Sequence, residues 1–412
     1  MRRSGLSKAL RRFCGARTRA CRVDTRVDAR RCLTLRLLAG TGLLLPLAAF
    51  AQPWLTHEGD LWVRTYNDTA PVKPRVRINS HGPAWIEGNS SPAQFVFTVK
   101  VSVRARTQAE ARVRLEKLQV RAESQGEWLV VTTPGGDAAS SVVMHAPRLL
   151  EAYVTSSGGQ VEVNGVDGPL HVDTGANQVK ADRIHGDCSL STGSGDIQAG
   201  RVDGSLYCTT VAGAIRSQLV GRDAVFQTIG GDIEAQQVNS LAHVETGGGT
   251  VHIHYAGGPV TAVNGGGPVI IDRAGGVVTV RNVAGAVQIG AAAGIRCESS
   301  NGGNIQLANI AGPMSVATAL GNILANLGGS RLAESLLATG NGDITVVIPS
   351  NISVTIRAEN QTADTLRRIV SEFREIQPRC IGTRLVAQGQ VNGGGPLLQI
   401  SASSGTIFLK RQ

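Results

Sequence analysis

Residues 197–250 read IQAGRVDGSLYCTTVAGA, IRSQLVGRDAVFQTIGGD and IEAQQVNSLAHVETGGGT, three consecutive 18-residue lines that align without a gap. The isoleucine that opens each line belongs to a column running through Val161, Val179, Ile197, Ile215, Ile233, Val251, Val269, Val287, Ile305 and Ile323. A fixed period of this length marks a coiled solenoid, in which equivalent residues of successive turns stack on one another and bury a continuous core. The expected fold is all-β, a single-stranded parallel β-solenoid with 18-residue coils.

Each coil can be written out. Two residues after the first column come Val163, Ala181, Ala199, Ser217, Ala235, Ile253, Ile271, Ile289, Leu307 and Ala325. Strand alternation places them on the same inward face. Val166, Ile184, Val202, Val220 and Val238 precede a corner marked by Gly168, Gly186 and Gly204, and Leu170, Cys188, Leu206, Ala224, Ala242, Val260 and Val278 follow on a second strand. The coil is thus two short strands joined by two tight turns, and ten coils at ~4.8 Å each would extend roughly 48 Å. The other corner carries Thr174, Thr192, Thr210, Thr228, Thr246, Asn264, Asn282, Ser300 and Thr318. Their stacked hydroxyls and amides are expected to hydrogen-bond along the axis and fix the register. The apolar phase is read one residue late at Ile295 and Cys297, then slips by three after Ile323, with Thr339 and Ile344 continuing the columns.

Outward from the repeat, residues 52–150 read as a β-rich N-terminal cap, with period-2 alternation at 60–65, 94–104 and 127–132. One helix interrupts it, opened by the capping box Thr107 and Glu110, with Ala111, Leu115 and Leu118 on one face. The solenoid repeats span 151–348, and residues 349–412 form a C-terminal cap with final coils. There Asn392-Gly393-Gly394-Gly395-Pro396 repeats Asn264-Gly265-Gly266-Gly267-Pro268 letter for letter. The stretch from Thr362 to Ile376 has Leu366, Ile369, Val370 and Phe373 at helical spacing, which predicts a covering helix.

The 51 glycines in 412 residues exceed the usual ~7% and fall at regular intervals, as turns do. The formal charge of +10 belongs entirely to residues 1–51, where eleven Arg and Lys8 oppose Asp24 and Asp28, 12 − 2 = +10. The remainder sums to zero, which removes the case for a nucleic-acid partner. The basic segment leads into an apolar run from Leu37 to Ala49 that ends in Ala49-Phe50-Ala51, the layout of a secretory signal peptide with a long n-region. Cleavage after Ala51 is expected to leave a chain without a transmembrane segment, exported to the periplasm, cell surface or exterior. Four cysteines then remain, Cys188, Cys208, Cys297 and Cys380. Cys188 and Cys208 fall on neighbouring coils two residues out of register, roughly 8 Å apart and beyond the usual bridging limit of about 7 Å, so buried thiols are expected.

No G-x-S-x-G, H-E-x-x-H, Walker or dinucleotide signature is present, and no cofactor, catalytic residue or metal site is assigned. Asp196, Asp232 and Asp343 follow turn glycines, and a tight turn explains them sufficiently. The candidate ligand-binding group is Arg216, Glu234, His252, His254 and Asp272. His252 and His254 point outward on one strand, with Glu234 one coil below His252 and Asp272 one coil above His254; Arg216, Glu234 and His252 stack as a charge ladder. Two imidazoles at i, i+2 can share a metal if a third ligand approaches.

The chain resembles the bacterial "putative adhesin" family of β-strand-repeat envelope proteins, a domain family of unknown function. The resemblance rests on the strands before the capped helix (95–118), the strand from Trp128 to Thr132, Tyr153-Val154-Thr155-Ser156-Ser157-Gly158-Gly159-Gln160-Val161, the repeated Thr-x-x-Gly-Asp-Ile form, and Asn392 to Gly395 with Gly405-Thr406-Ile407. It implies an exported, non-enzymatic solenoid used for adhesion, scaffolding or surface binding, whose partner is an envelope component, a glycan or another protein. The competing reading is a β-helix carbohydrate-active enzyme, a polysaccharide lyase or hydrolase, which would require clustered outward acids on consecutive coils.

Overall fold

The structure, a computed structural model, describes residues 55–90, 93–328, 332–361 and 368–412. All lie within one compact unit, Phe50–Gln412; the expected signal peptide falls outside the described residues. The 18-residue period becomes two strands per coil. Strands such as Val161–Val166, Val179–Ile184, Ile197–Val202 and Ile215–Val220 form a first parallel wall, and Leu170–Thr174, Cys188–Thr192 and Leu206–Thr210 form the second. Through the central coils the register steps by one coil: Val161 pairs with Val179, Val179 with Ile197, Ile197 with Ile215. Parallel strands stack into a β-solenoid of about 11 turns with around 18 residues per coil. All ten residues of the leading Ile/Val column are 1% exposed or less, each contributing about 1.5–3 kcal/mol of burial.

The polar corner hydrogen-bonds along the axis as expected, and it does so through the backbone. Thr210 Oγ1 donates to the carbonyl of Gly195 in the preceding coil (3.0 Å) and accepts from the amide of Gly213 in its own turn (3.2 Å). Thr228 does the same with Gly213 and Gly231, and Thr246 with Gly231 and Gly249. Each hydroxyl therefore bridges the backbones of two coils, because the neighbouring turn offers buried amide and carbonyl groups that must be paired. Close stacking also excludes side chains: a Cβ at Gly213 would lie 1.9 Å from the Gly195 carbonyl oxygen.

Two phase readings are corrected. Ile295 pairs with Val278, only 17 residues on, so the apolar phase arrives one residue early, not late. The early phase puts Ser299, not Ser300, in the polar column beside Thr318, and a bulge just after it, between the partners of Asn282 and Ala284, restores the 18-residue step. The three-residue slip is as expected, with Ile323 paired to Ile344 and Thr318 to Thr339.

At both ends the coils stack out of chain order. Arg75–Ser80 lies between Trp128–Thr132 and Glu151–Ser156, parallel to both, while Ala84–Glu87 lies between Ala139–His145 and Val161–Val166. At the far end Leu397–Ser404 lies between Ser335–Asn341 and Val354–Asn360, and Ile407–Arg411 between Ile344–Ile348 and Ile369–Ser371. In each case a coil near the chain end is tucked inside a coil formed by more central residues. Antiparallel strands close both ends: Phe95–Arg104 covers Ala139–His145, Arg121–Gln125 covers Trp128–Thr132, and Arg384–Val391 covers Val354–Asn360. Arg121–Gln125 is exposed and charge-rich, which discourages pairing with another chain.

The helix Gln108–Glu116 forms as expected, with Thr107 Oγ1 accepting from the Glu110 amide and Ala111 and Leu115 buried. The second expected helix is corrected. Its residues 362–367 lie outside the described residues, and Ile369–Ser371 is a strand whose Ile369 is buried beside Ile407, so wall pairing overrides the helical spacing. The two identical pentapeptides also part company. Asn264 caps a corner through the Gly266 and Gly267 amides, whereas Asn392 joins an antiparallel strand to a parallel one and donates to the carbonyls of Ser350 and Ile352.

Candidate functional site

Because alternate strand residues face outward, the first wall presents two parallel rows of polar side chains. One runs Glu162, Lys180, Gln198, Arg216, Glu234 and His252, paired coil by coil; the other runs Asn164, Asp182, Gly200, Gln218, Gln236, His254 and Asp272. In the second row Gly200 makes room for the Asp182 carboxylate: a Cβ there would lie 2.0 Å from Asp182 Oδ1. The resulting trough has a volume of about 720 Å³ and extends from Glu162 to Glu234 and Gln236. Glu162 and Asn164 also line a smaller hollow of about 250 Å³ bounded by Trp85, Glu87 and His145.

The five candidate residues come together at the far end of the trough. Glu234 Oε2 lies 3.8 Å from Arg216 Nε, and its Oε1 accepts a 2.8 Å hydrogen bond from Gln236 Nε2. Arg216 also approaches Asp196 at 3.9 Å. Instead of stacking only on His252, the Glu234 carboxylate reaches His254 Nε2 at 3.8 Å. Asp272 Oδ2 lies 2.9 Å from His254 Nδ1 and also 3.3 Å from His252 Nε2, with the two rings 3.8 Å apart between centroids. The charge ladder is therefore a cross-linked patch spanning four coils.

The three carboxylates that follow turn glycines are engaged with backbone. Asp196 Oδ1 accepts from the Ala214 amide (2.8 Å), Asp232 Oδ1 from Thr250 (2.7 Å) and Asp343 Oδ1 from Thr406 (2.7 Å). Asn304 and Asn322 take the same role toward the amides of Asn322 and Asp343. These side chains stitch one coil to the next, a backbone role as expected but across coils and not within their own turn. At the opposite corner, hydrogen bonds from Arg201 and then His185 hold the Asp203 carboxyl below the usual range. Asn89 and Arg148 do the same for Asp167, as do Ser240 and the Leu241 amide for Asp223. Cys188, Cys208, Cys297 and Cys380 are all free thiols, the first three buried. Burial pushes Cys297 up to about 12 and Cys188 and Cys208 well above their ordinary value.

Sequence reasoning missed the adjoining hollow bounded by Trp85, Glu87 and His145, since their coils pair outside the 18-residue step. It also missed an aromatic ladder on the second wall. Trp128 and Tyr153 meet edge to face at 5.7 Å, the Tyr153 and His171 rings are tilted by 40° at 5.3 Å, and the Arg77 guanidinium lies about 5 Å over both Trp128 and Tyr153. Only the step from Tyr153 to His171 is visible as a period. Among the described residues, no helix is long and apolar enough to cross a membrane.

No family model matches the chain, and no curated protein matches it. Solved structures do. A "putative cell adhesion protein" from Clostridium sporogenes is 10% identical, with 84% of this chain and 100% of that chain covered and a TM-score of 0.16. A "putative adhesin" from Bacteroides fragilis is 11% identical (84% and 96% covered, TM-score 0.20), and a "putative lipid binding protein" from Parabacteroides distasonis is also 11% identical (84% and 96%, TM-score 0.22). The adhesin description is the one anticipated by the sequence resemblance; scores this low carry no argument about activity.

Proposed function

We propose that the chain is an exported, non-enzymatic protein of the cell envelope whose solenoid holds a rigid outer face against a partner, in adhesion or scaffolding. In this reading residues 52–150 and 349–412 cap the tube, and the partner is a glycan, a protein or another envelope component. The trough of the first wall carries the proposal: Lys180, Gln198, Arg216, Gln218, Glu234 and Gln236 present donors and acceptors on a backbone fixed by parallel pairing on both sides. Planar amides and charges in fixed rows suit a polar, extended ligand, and a preorganised wall loses little entropy on binding. Against turnover stands the use of Asp196, Asp232 and Asp343 as backbone stitches.

Binding to a glycan array, run beside turnover assays on the same polysaccharides, tests the reading. Binding without product, weakened by Gln198→Ala or Gln218→Ala, is expected. Product formation abolished by Glu234→Ala would establish the carbohydrate-active enzyme instead.

A further inference from the structure

The clustering of His252, His254 and Asp272 supplies the third donor that two imidazoles on one strand require. We infer that these three residues bind a single divalent transition-metal cation of the zinc type on the outer face of the first wall. One donor atom from each of His252, His254 and Asp272, a ring nitrogen or a carboxylate oxygen, lies within 4.8 Å of the other two. A tetrahedral ion with bonds of about 2.1 Å has ligand-to-ligand edges of roughly 3.4 Å. Two edges are already close to that length: 3.3 Å from His252 Nε2 to Asp272 Oδ2 and 2.9 Å from His254 Nδ1 to the same oxygen. The third closes by small rotations of side chains that are about one third exposed (30% and 33%).

The scaffold beneath is rigid. Ile253 and Ile271 are fully buried and pair across the coils that carry the donors, so the backbone positions are set before any ion arrives. Two imidazoles with one carboxylate favour zinc, nickel or copper over calcium or magnesium, which take oxygen donors. The surroundings also match. His254 Nε2, the nitrogen turned away from Asp272, faces Glu234 Oε1 at 3.8 Å, and Glu234 is itself held by Gln236 and Arg216. A carboxylate hydrogen-bonded behind a ligating imidazole fixes the ring's orientation and raises its basicity, and Glu234 has to approach by about 1 Å to take that place. Glu234 and Arg216 also line the trough, so the three donors lie next to its end. The inference stands independently of the proposed function.

The test is titration of the tag-free chain with CoCl2, followed by visible absorption. Uptake of one ion per chain with tetrahedral-type bands, displaced by ZnCl2, is expected. His254→Gln and Asp272→Asn should each weaken uptake at least tenfold, and Glu234→Gln about tenfold, whereas His243→Gln on the second wall should leave it unchanged. Circular dichroism checks the fold of each variant, and ZnCl2 should shield His252 and His254 of the unaltered chain from diethylpyrocarbonate. Absence of uptake at micromolar metal, uptake indifferent to His254 and Asp272, binding of CaCl2 without CoCl2, or failure of zinc to protect the two histidines would each overturn the inference.

Discussion

Gly230 and Gly231 are neighbours in one turn, yet alanine should have opposite effects at the two positions. A Cβ at Gly230 meets nothing within 4 Å, whereas one at Gly231 would lie 1.9 Å from the Gly213 carbonyl oxygen and 2.5 Å from its carbon. Neither has the left-handed backbone that would itself penalise alanine. Gly230→Ala therefore acts mainly on the unfolded chain and should stabilise by about 0.4–1 kcal/mol. Gly231→Ala must force two coils more than about 1 Å apart to reach an ordinary carbon–oxygen contact. Overpacking of that kind costs about 1–3 kcal/mol. The separation also strains the hydrogen bonds from Thr228 to the Gly213 carbonyl and from the Gly231 amide to Thr228, each worth about 1 kcal/mol. The net cost should be about 3–5 kcal/mol, several-fold larger than the gain at Gly230 and opposite in sign. Urea unfolding of both variants, with the slope monitored for loss of cooperativity along the repeat, measures the difference. If Gly231→Ala lies within about 0.5 kcal/mol of the parent, below the resolution of a true clash, the coils are not stacked as closely as the corner requires.

Ser217 stands between Ala199 and Ala235 in the inward column, and its buried hydroxyl has no hydrogen-bond partner. Ser217→Ala should therefore raise stability by about 1 kcal/mol, and a loss in urea unfolding would contradict this. Asp167, Asp203 and Asp223 have lowered folded pKa values, so their stabilisation is complete above the unfolded value near 4 and is lost as pH falls through the folded values. The thermal midpoint should fall below about pH 4, and Asp203→Asn should flatten that fall; an unchanged profile would remove the linkage. In a chain beginning at Gln52, maleimide should label Cys380 quickly and Cys188, Cys208 and Cys297 only on unfolding, as read by mass spectrometry. Hydrogen exchange should protect amides of Arg75–Ser80 as strongly as those of the central coils and leave Arg121–Gln125 to exchange first.

The sequence alone determined the coil, its two walls and the facing of nearly every residue between 161 and 327. In that stretch each strand's partner lies close to one period away, so pairing is written as repetition, and burial of Val, Ile and Ala at alternate positions fixes the register. The candidate residues Arg216, Glu234, His252, His254 and Asp272 were legible for the same reason. Tertiary structure decided what repetition does not encode. The tucked coils pair residues such as Arg77 with Val130 and Tyr153, at separations that follow no period, which hides the Trp128 ladder and the hollow beside Trp85. It also decided where side chains turn once stacked: Thr228 toward backbone, Glu234 toward His254, and Asp272 toward both imidazoles. Alternation sets the side of the wall from which a side chain emerges, but its partner is chosen by the unpaired donors and charges that stacking brings within reach.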